Sequence, residues 1–376
     1  MKLEQRLFVP GAGWKTCSGG LGGLAPQFVL LFGGRHLLAA PAAFEDVRRA
    51  FPGAHVISVS TSGEITGTEV TEDQLTLTAV AFEKTRVVCV ATSVTSAADS
   101  RAKGGELASV LHGTELAHVF VVSDGALVNG TELARGFSER LPAGVALTGG
   151  LAGDGARFEQ TLVGLDEPPR TGRVVAIGFY GRHLRTGIGS AGGWSAFGPE
   201  RMVTRSAGNV LHELDGQSAL HLYKKYLGEQ AAELPGSALR FPLCVTPQGG
   251  GEPVVRTILS IDEKGESMTF AGDIPTGARV RFMRASYEDL IDGAEAAARQ
   301  TGPSPSPELA ICVSCVGRRI VLGQRTEEET EIVRETLGPG PVVTGFYSYG
   351  ELAPSSGEGA CQLHNQTMTI TTLRED

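Results

Sequence analysis

One loop recurs three times in this chain, each time at the end of a short apolar run. The runs cover 54–64, 144–154 and 341–351 and close on Gly63-Glu64, Gly153-Asp154 and Gly350-Glu351. A glycine there lets the chain turn through positive φ or approach a ligand closely, and the acid sets a charge where a strand ends. Upstream of each run lies another apolar strand, at 28–32, 119–122 and 309–313, ending in Gly33-Gly34, Ser123-Asp124-Gly125 and Ser314-Cys315-Val316-Gly317. Helix-like stretches at 42–50, 130–141 and 327–337 separate the two strands of each copy; in the second, Leu133, Phe137 and Leu141 fall four residues apart. Strand, crossover helix and strand predict a parallel pair with its loops at the carboxyl ends. Open α/β sheets bind ligands at that end. Recurrence of the whole unit points to an internal repeat.

The 376 residues are enough for two or three domains. The expected class is α/β: two domains with mixed sheets built from repeated strand-helix-strand units. A joint is expected near Ala207-Gly208, giving a loosely held arm at 1–24 and domains at 25–208 and 209–376. The net charge of -9 argues against a nucleic-acid partner. No apolar stretch is long enough to span a bilayer, and Met1–Arg6 does not open a signal peptide, so a cytoplasmic protein is expected.

Between the repeats, 75–82 and 86–92 read as a hairpin around Glu83-Lys84-Thr85, and 158–165, 173–180 and 184–190 as a meander. Helices are expected at 216–234 and 287–300, and an exposed linker at the proline-rich 301–307. Six cysteines make no disulfide scaffold. Cys312, Cys315, Cys361 and His364 imitate a zinc spacing, but residues i and i+3 of an extended strand face opposite ways, so no zinc is expected. Cys315 is the better placed of the first two to face a pocket, and Val316-Gly317-Arg318-Arg319 is a poor helix start for a thioredoxin-like pair.

No catalytic signature stands out. Gly149–Gly155 lacks dinucleotide spacing, and Gly345–Gly350 places Ser348 one residue late for a nucleophile elbow. His55, His112, His118 and His221 have no evident partners and read as structural. An enzyme is the third choice of function.

Three segments of the last third, Ser314–Arg318, Gly345–Glu351 and Cys361–Thr369, resemble the signature of FIST C-terminal domains (F-box and intracellular signal transduction). Ser123-Asp124-Gly125 with Asn129-Gly130, and Gly149-Gly150 with Gly153-Asp154, resemble the FIST N-terminal domain. The resemblance spans 27–373. It implies a prokaryotic sensor that binds a small ligand such as an amino acid. It would act in trans on a histidine kinase or cyclic-di-GMP enzyme, because no output domain is evident. One branch of the family binds haem and reports nitric oxide. The ending His364–Met368 is similar to that branch, making a haem-dependent nitric-oxide sensor the alternative, with His364 as axial ligand or Cys361 or Cys315 as thiolate.

The matched residues suit a zwitterion. Glu64, Asp154 and Glu351 can bind an ammonium group or accept hydrogen bonds from their own turns. Arg318 can grip a carboxylate or brace the domain by pairing with Glu351. Of Tyr347 and Tyr349, one is expected to line a pocket and the other to pack. The candidate ligand set is therefore Ser314, Cys315, Arg318, Tyr347, Tyr349, Glu351, Cys361, His364 and Asn365, joined by Asp124, Asp154 and Glu64.

Overall fold

The computed structural model describes residues 1–9, 11–234, 236–302, 307–354 and 360–376. Each predicted unit is a parallel pair. Phe28–Gly33 lies beside His55–Ser60, Leu116–Ser123 beside Ala146–Leu151, and Leu309–Cys315 beside Val342–Ser348. Each pair lies in the interior of its own mixed six-stranded sheet.

The apolar runs are continuous because these strands are buried on both faces. Alternate residues serve two cores. Phe28, Leu30 and Phe32 of the first unit point inward, joining Phe120 and Val122 of the second and Ile311, Val313 and Phe346 of the third in one central core. Phe32 and Phe346 meet at 5.0 Å between ring centroids, and Phe28 and Phe179 at 5.9 Å. Val29 and Leu31 face outward onto the helix Pro41–Ala50. In the second unit Val119 and Val121 face outward onto Ser100–Leu111 and Gly130–Ser138. In the third, Ala310 and Cys312 face Tyr287–Gln300 and Thr326–Leu337. Three sheets thus enclose one core, each backed by helices.

The Gly-acid loops pass the chain from sheet to sheet. After His55–Ser60 the chain turns at Gly63, and Glu64–Thr66 pairs antiparallel with Val342–Ser348 of the third sheet. That strand turns in its place near Gly350, and Gly350–Pro354 pairs with Ala146–Leu151 of the second sheet. The second strand turns through Gly153-Asp154, and Val163–Leu165 pairs with His55–Ser60 of the first. Three backbone bonds close the ring: Ser62 N–H to Tyr347 O at 2.8 Å, Tyr349 N–H to Leu151 O at 3.1 Å and Gly153 N–H to Ser60 O at 2.9 Å.

A second set of transfers replaces the expected hairpin and meander. Leu75–Ala81 belongs to the first sheet and Arg86–Ser93 to the second; Val163–Leu165, Arg173–Tyr180 and Leu184–Ala191 enter the first, second and third. Leu75–Ala81 is buried along its whole length, so it needs neighbours on both edges, and a single hairpin partner would leave one edge open. The Glu83-Lys84-Thr85 turn is a corner whose three N–H groups donate to the Glu375 carboxylate at 2.6–2.7 Å.

Residues 1–24 are not a loose arm. Lys2–Val9 pairs with Leu75–Ala81 and Gly13–Gly20 adds the sheet edge, with Leu3 buried opposite Val80. The terminal ammonium lies 3.6 Å from Glu375, so the chain ends meet where a third corner would stand.

A fourth, antiparallel sheet spans 195–284 and has its own core with the helix Ala219–Leu227. That helix is shorter than the expected 216–234, because Gly228 at φ +59 turns the chain into a 3-10 segment. Ala207-Gly208 is the hairpin turn of this sheet, with Ser195–Ala207 on one side and Val210–Leu214 on the other. The predicted helix at 287–300 is present as Tyr287–Gln300. Residues 303–306 of the expected linker lie outside the described residues.

Candidate functional site

The fourth-sheet body lies against the carboxyl end of the second unit, and between them runs a cleft of about 370 Å³. One wall is the segment Gly125–Asn129 that follows Leu116–Ser123, together with Leu151. The other is Leu259-Ser260 and Thr269–Asp273 of the fourth sheet, with Asn209. Two contacts hold the walls in register. Asn129 Nδ2 donates to Asp273 Oδ1 at 3.3 Å, and Arg256 donates to Asp273 O at 3.2 Å and Leu363 O at 2.9 Å. Burial brings the Arg256 guanidinium down to about 10.

Phe158 and Tyr349 close one end of the cleft, stacked with centroids 4.6 Å apart and planes 19° from parallel. Phe158 is 38% exposed and has φ +55, a left-handed conformation rare for a bulky residue. Asp154 imposes it, accepting the N–H groups of Phe158, Glu159 and Gln160 at 2.9, 3.2 and 3.0 Å. Tyr349 donates its hydroxyl to Asp154 and accepts the Phe158 N–H at 3.0 Å.

The other loop acids also turn onto their own chain. Glu64 accepts from Thr61 at 2.6 Å, Thr71 at 3.1 Å and the Gln74 N–H at 3.3 Å. Glu351 accepts from Ser348 at 2.6 Å and from the Thr367 hydroxyl and N–H at 2.9 and 3.2 Å. Burial pushes Glu64 up to about 7 and Glu351 up to about 8, against these hydrogen bonds. Asp124 accepts the N–H groups of Ala126, Leu127 and Gly172 at 2.7–2.8 Å, shaping the cleft wall from behind.

Arg318 is wholly buried and all five of its N–H groups are used internally. They reach Glu329 at 2.8 and 3.0 Å, Gly192 O and Leu290 O at 2.7 Å, and Gln366 O at 3.5 Å. The expected brace to Glu351 is made instead to Glu329, which also accepts from Ser314 at 3.0 Å and Tyr347 at 2.6 Å. The helix Val316–Leu322 does form, contrary to the sequence reading. The ion pair draws Arg318 inward, and Gly317 leaves room for Gln366, whose Nε2 lies 2.5 Å from where a Cβ would stand. Tyr347 and Tyr349 part company because the chain changes sheets between them. Tyr347 packs and Tyr349 faces the cleft.

The FIST N domain model matches residues 27–217 and the FIST C domain model matches residues 219–354. The chain belongs to the FIST family. FIST domains are sensory domains of signal transduction. A comparison with curated proteins found no match. The two FIST segments interleave in space. Glu64–Thr66 from the first completes the sheet of the third unit, and Gly350–Pro354 from the second completes that of the second unit.

The residues suggested for haem do not fit it in this FIST protein. His364 is buried with Nε2 3.0 Å from Ala353 O inside the Gly350–Pro354/Cys361–His364 pairing, and burial lowers it to about 4. Ligating iron through Nε2 would break that hydrogen bond. Burial pushes the Cys315 and Cys361 thiols up, away from the thiolate form, and Cys361 faces a separate hollow beside Leu141–Leu147. Asn365 is buried with neither side-chain polar atom partnered among the described residues.

Of the predicted set only Tyr349 lines the cleft, with Asp154 and Asp124 supporting it. Sequence reasoning missed Phe158, Asp273, Asn209 and Glu329. Glu329 carried a signal, since an acid four residues before Val333 shares the apolar face of its helix. Asp273 carried none, because the fourth sheet has no repeat to set it in context.

Proposed function

We propose that the chain is a small-ligand sensor whose ligand enters this cleft and whose occupancy is read by a histidine kinase or cyclic-di-GMP enzyme acting in trans. The observation that carries the reading is Phe158. A solvent-facing aromatic ring in a left-handed conformation costs on the order of 1–3 kcal/mol and persists only when its surroundings impose it. Here a buried acid and a stacked tyrosine impose it at the mouth of a cleft between two bodies, where ligands favour binding. Occupancy would alter how the fourth-sheet body seats on the second unit, which gives a partner a surface to read. An amino acid is the ligand class the resemblance implies, and Asp273 offers its ammonium group an acceptor.

The test is a thermal-shift screen of amino acids and other small metabolites on wild-type protein and Phe158→Ala. Ligands that raise the wild-type melting temperature are expected to lose their effect in the variant. Shifts that persist in full would place the binding site elsewhere.

A further inference from the structure

The cleft is one-sided in its chemistry. Among its described lining residues Asp273 is the single charged group, and there is no lysine, arginine or histidine. Each of the two side-chain amides commits one N–H within the walls. Asn209 Nδ2 donates to Phe270 O at 2.7 Å, and Asn129 Nδ2 donates to Asp273 Oδ1. The one charge offered by the lining is the Asp273 carboxylate, set among the uncharged polar groups of Asn129, Asn209, Ser260 and Thr269. The guanidinium of Arg256 stands behind Gly272, its Nε 2.7 Å from where a Cβ would be; it feels the Asp273 charge from outside the lining and donates to main-chain carbonyls. A carboxylate entering here would leave water without gaining a partner charge. A cation would meet a carboxylate and the open face of the Phe158–Tyr349 stack, to which cations are attracted.

We infer that the cleft selects a small monocation, an amine carrying an aromatic or apolar group and no carboxylate, with its charge on Asp273 and its body against Phe158. The inference rests on the cleft being the ligand site, and it narrows the ligand away from the zwitterion.

Calorimetric titration of the full chain with 2-phenylethylamine, phenylalanine and 3-phenylpropionate at neutral pH tests it. These probes share a phenylethyl skeleton and differ in whether it carries an ammonium, a carboxylate or both. The amine is expected to bind about tenfold tighter than either acid-bearing probe. Asp273→Asn and Phe158→Ala are each expected to weaken the amine by about tenfold while keeping the wild-type circular dichroism spectrum. An acid-bearing probe binding as tightly as the amine, an Asp273→Asn variant with unchanged amine affinity, or no binding of any probe overturns the inference. The cleft itself is judged by the library screen. Phe158-dependent anions or zwitterions would keep the cleft and sink the cation, whereas an absence of Phe158-dependent ligands would sink both.

Discussion

At the scale of single residues, most polar side chains that suggested a site are committed to the fold. Arg318 and Glu329 form a buried pair with every donor of the arginine engaged. Breaking such a pair leaves an uncompensated charge, at a cost of about 3–5 kcal/mol. Arg318→Met is expected to lose that much stability in urea unfolding, and adding Glu329→Gln to recover part of it. Glu351 makes a different prediction. Its carboxyl is raised to about 8 by burial, so between the unfolded value of 4.5 and that value the folded state holds a proton the unfolded state has lost. Stability contributed by the neutral form is full below 4.5 and declines as pH rises through about 8. Glu351→Gln, which stays neutral, should therefore gain melting temperature relative to wild type from pH 5 to pH 9. A difference that stays flat across that range would mean Glu351 is ionised when folded. Hemin spectra of wild type and His364→Ala are expected to coincide, because the His364 ring is buried and its Nε2 is engaged by Ala353 O.

At the scale of elements, the repeated unit depends on close backbone approach at matching positions. A Cβ on Gly149 would stand 1.8 Å from Val121 O, and one on Gly345 1.8 Å from Cys312 O, each on the neighbouring parallel strand. Gly149→Ala should cost about 3 kcal/mol. Gly53→Ala, in the turn ahead of His55–Ser60 with nothing within 4 Å, should stay within about 0.5 kcal/mol. Melting curves of the two variants compare them directly. The units were legible in the sequence because strand, helix and Gly-acid loop recur in order and strands buried on both faces read as unbroken apolar runs. Partners between sheets were not legible. The usual expectation that successive strands pair turned 75–82 and 86–92 into a hairpin, when a carboxylate from the far end of the chain makes them a corner. The Gly-acid signal was ambiguous for a physical reason: an acid that caps its own turn and one that awaits a ligand have the same local sequence. Asp154 does the first, and in doing so sets the backbone of Phe158.

At the scale of the molecule, the transfers between sheets form a cycle that the chain ends interrupt. Corners at Glu83–Thr85 and Gly181–His183 join successive sheets, and Met1 beside Glu375 stands at the remaining one. A circular permutant that links 376 to 1 through a short glycine-serine segment and opens between Gly181 and Arg182 should keep the fold. A melting temperature within about 5 °C of wild type and a dispersed amide spectrum would bear this out; a collapsed spectrum would refute the cycle. The same weave bears on how the protein is made. Met368–Glu375 lies inside the third sheet, between Leu309–Cys315 and Leu184–Ala191, yet it leaves the ribosome after both. At about 5–20 residues per second, the Leu184–Ala191 edge waits roughly nine to thirty-five seconds for its partner. Over that interval a nascent chain carries an unpaired edge of the kind that recruits other chains. Ribosomes stalled near residue 360 should thus yield a species that aggregates or is held by chaperones, although most of the sequence has already emerged.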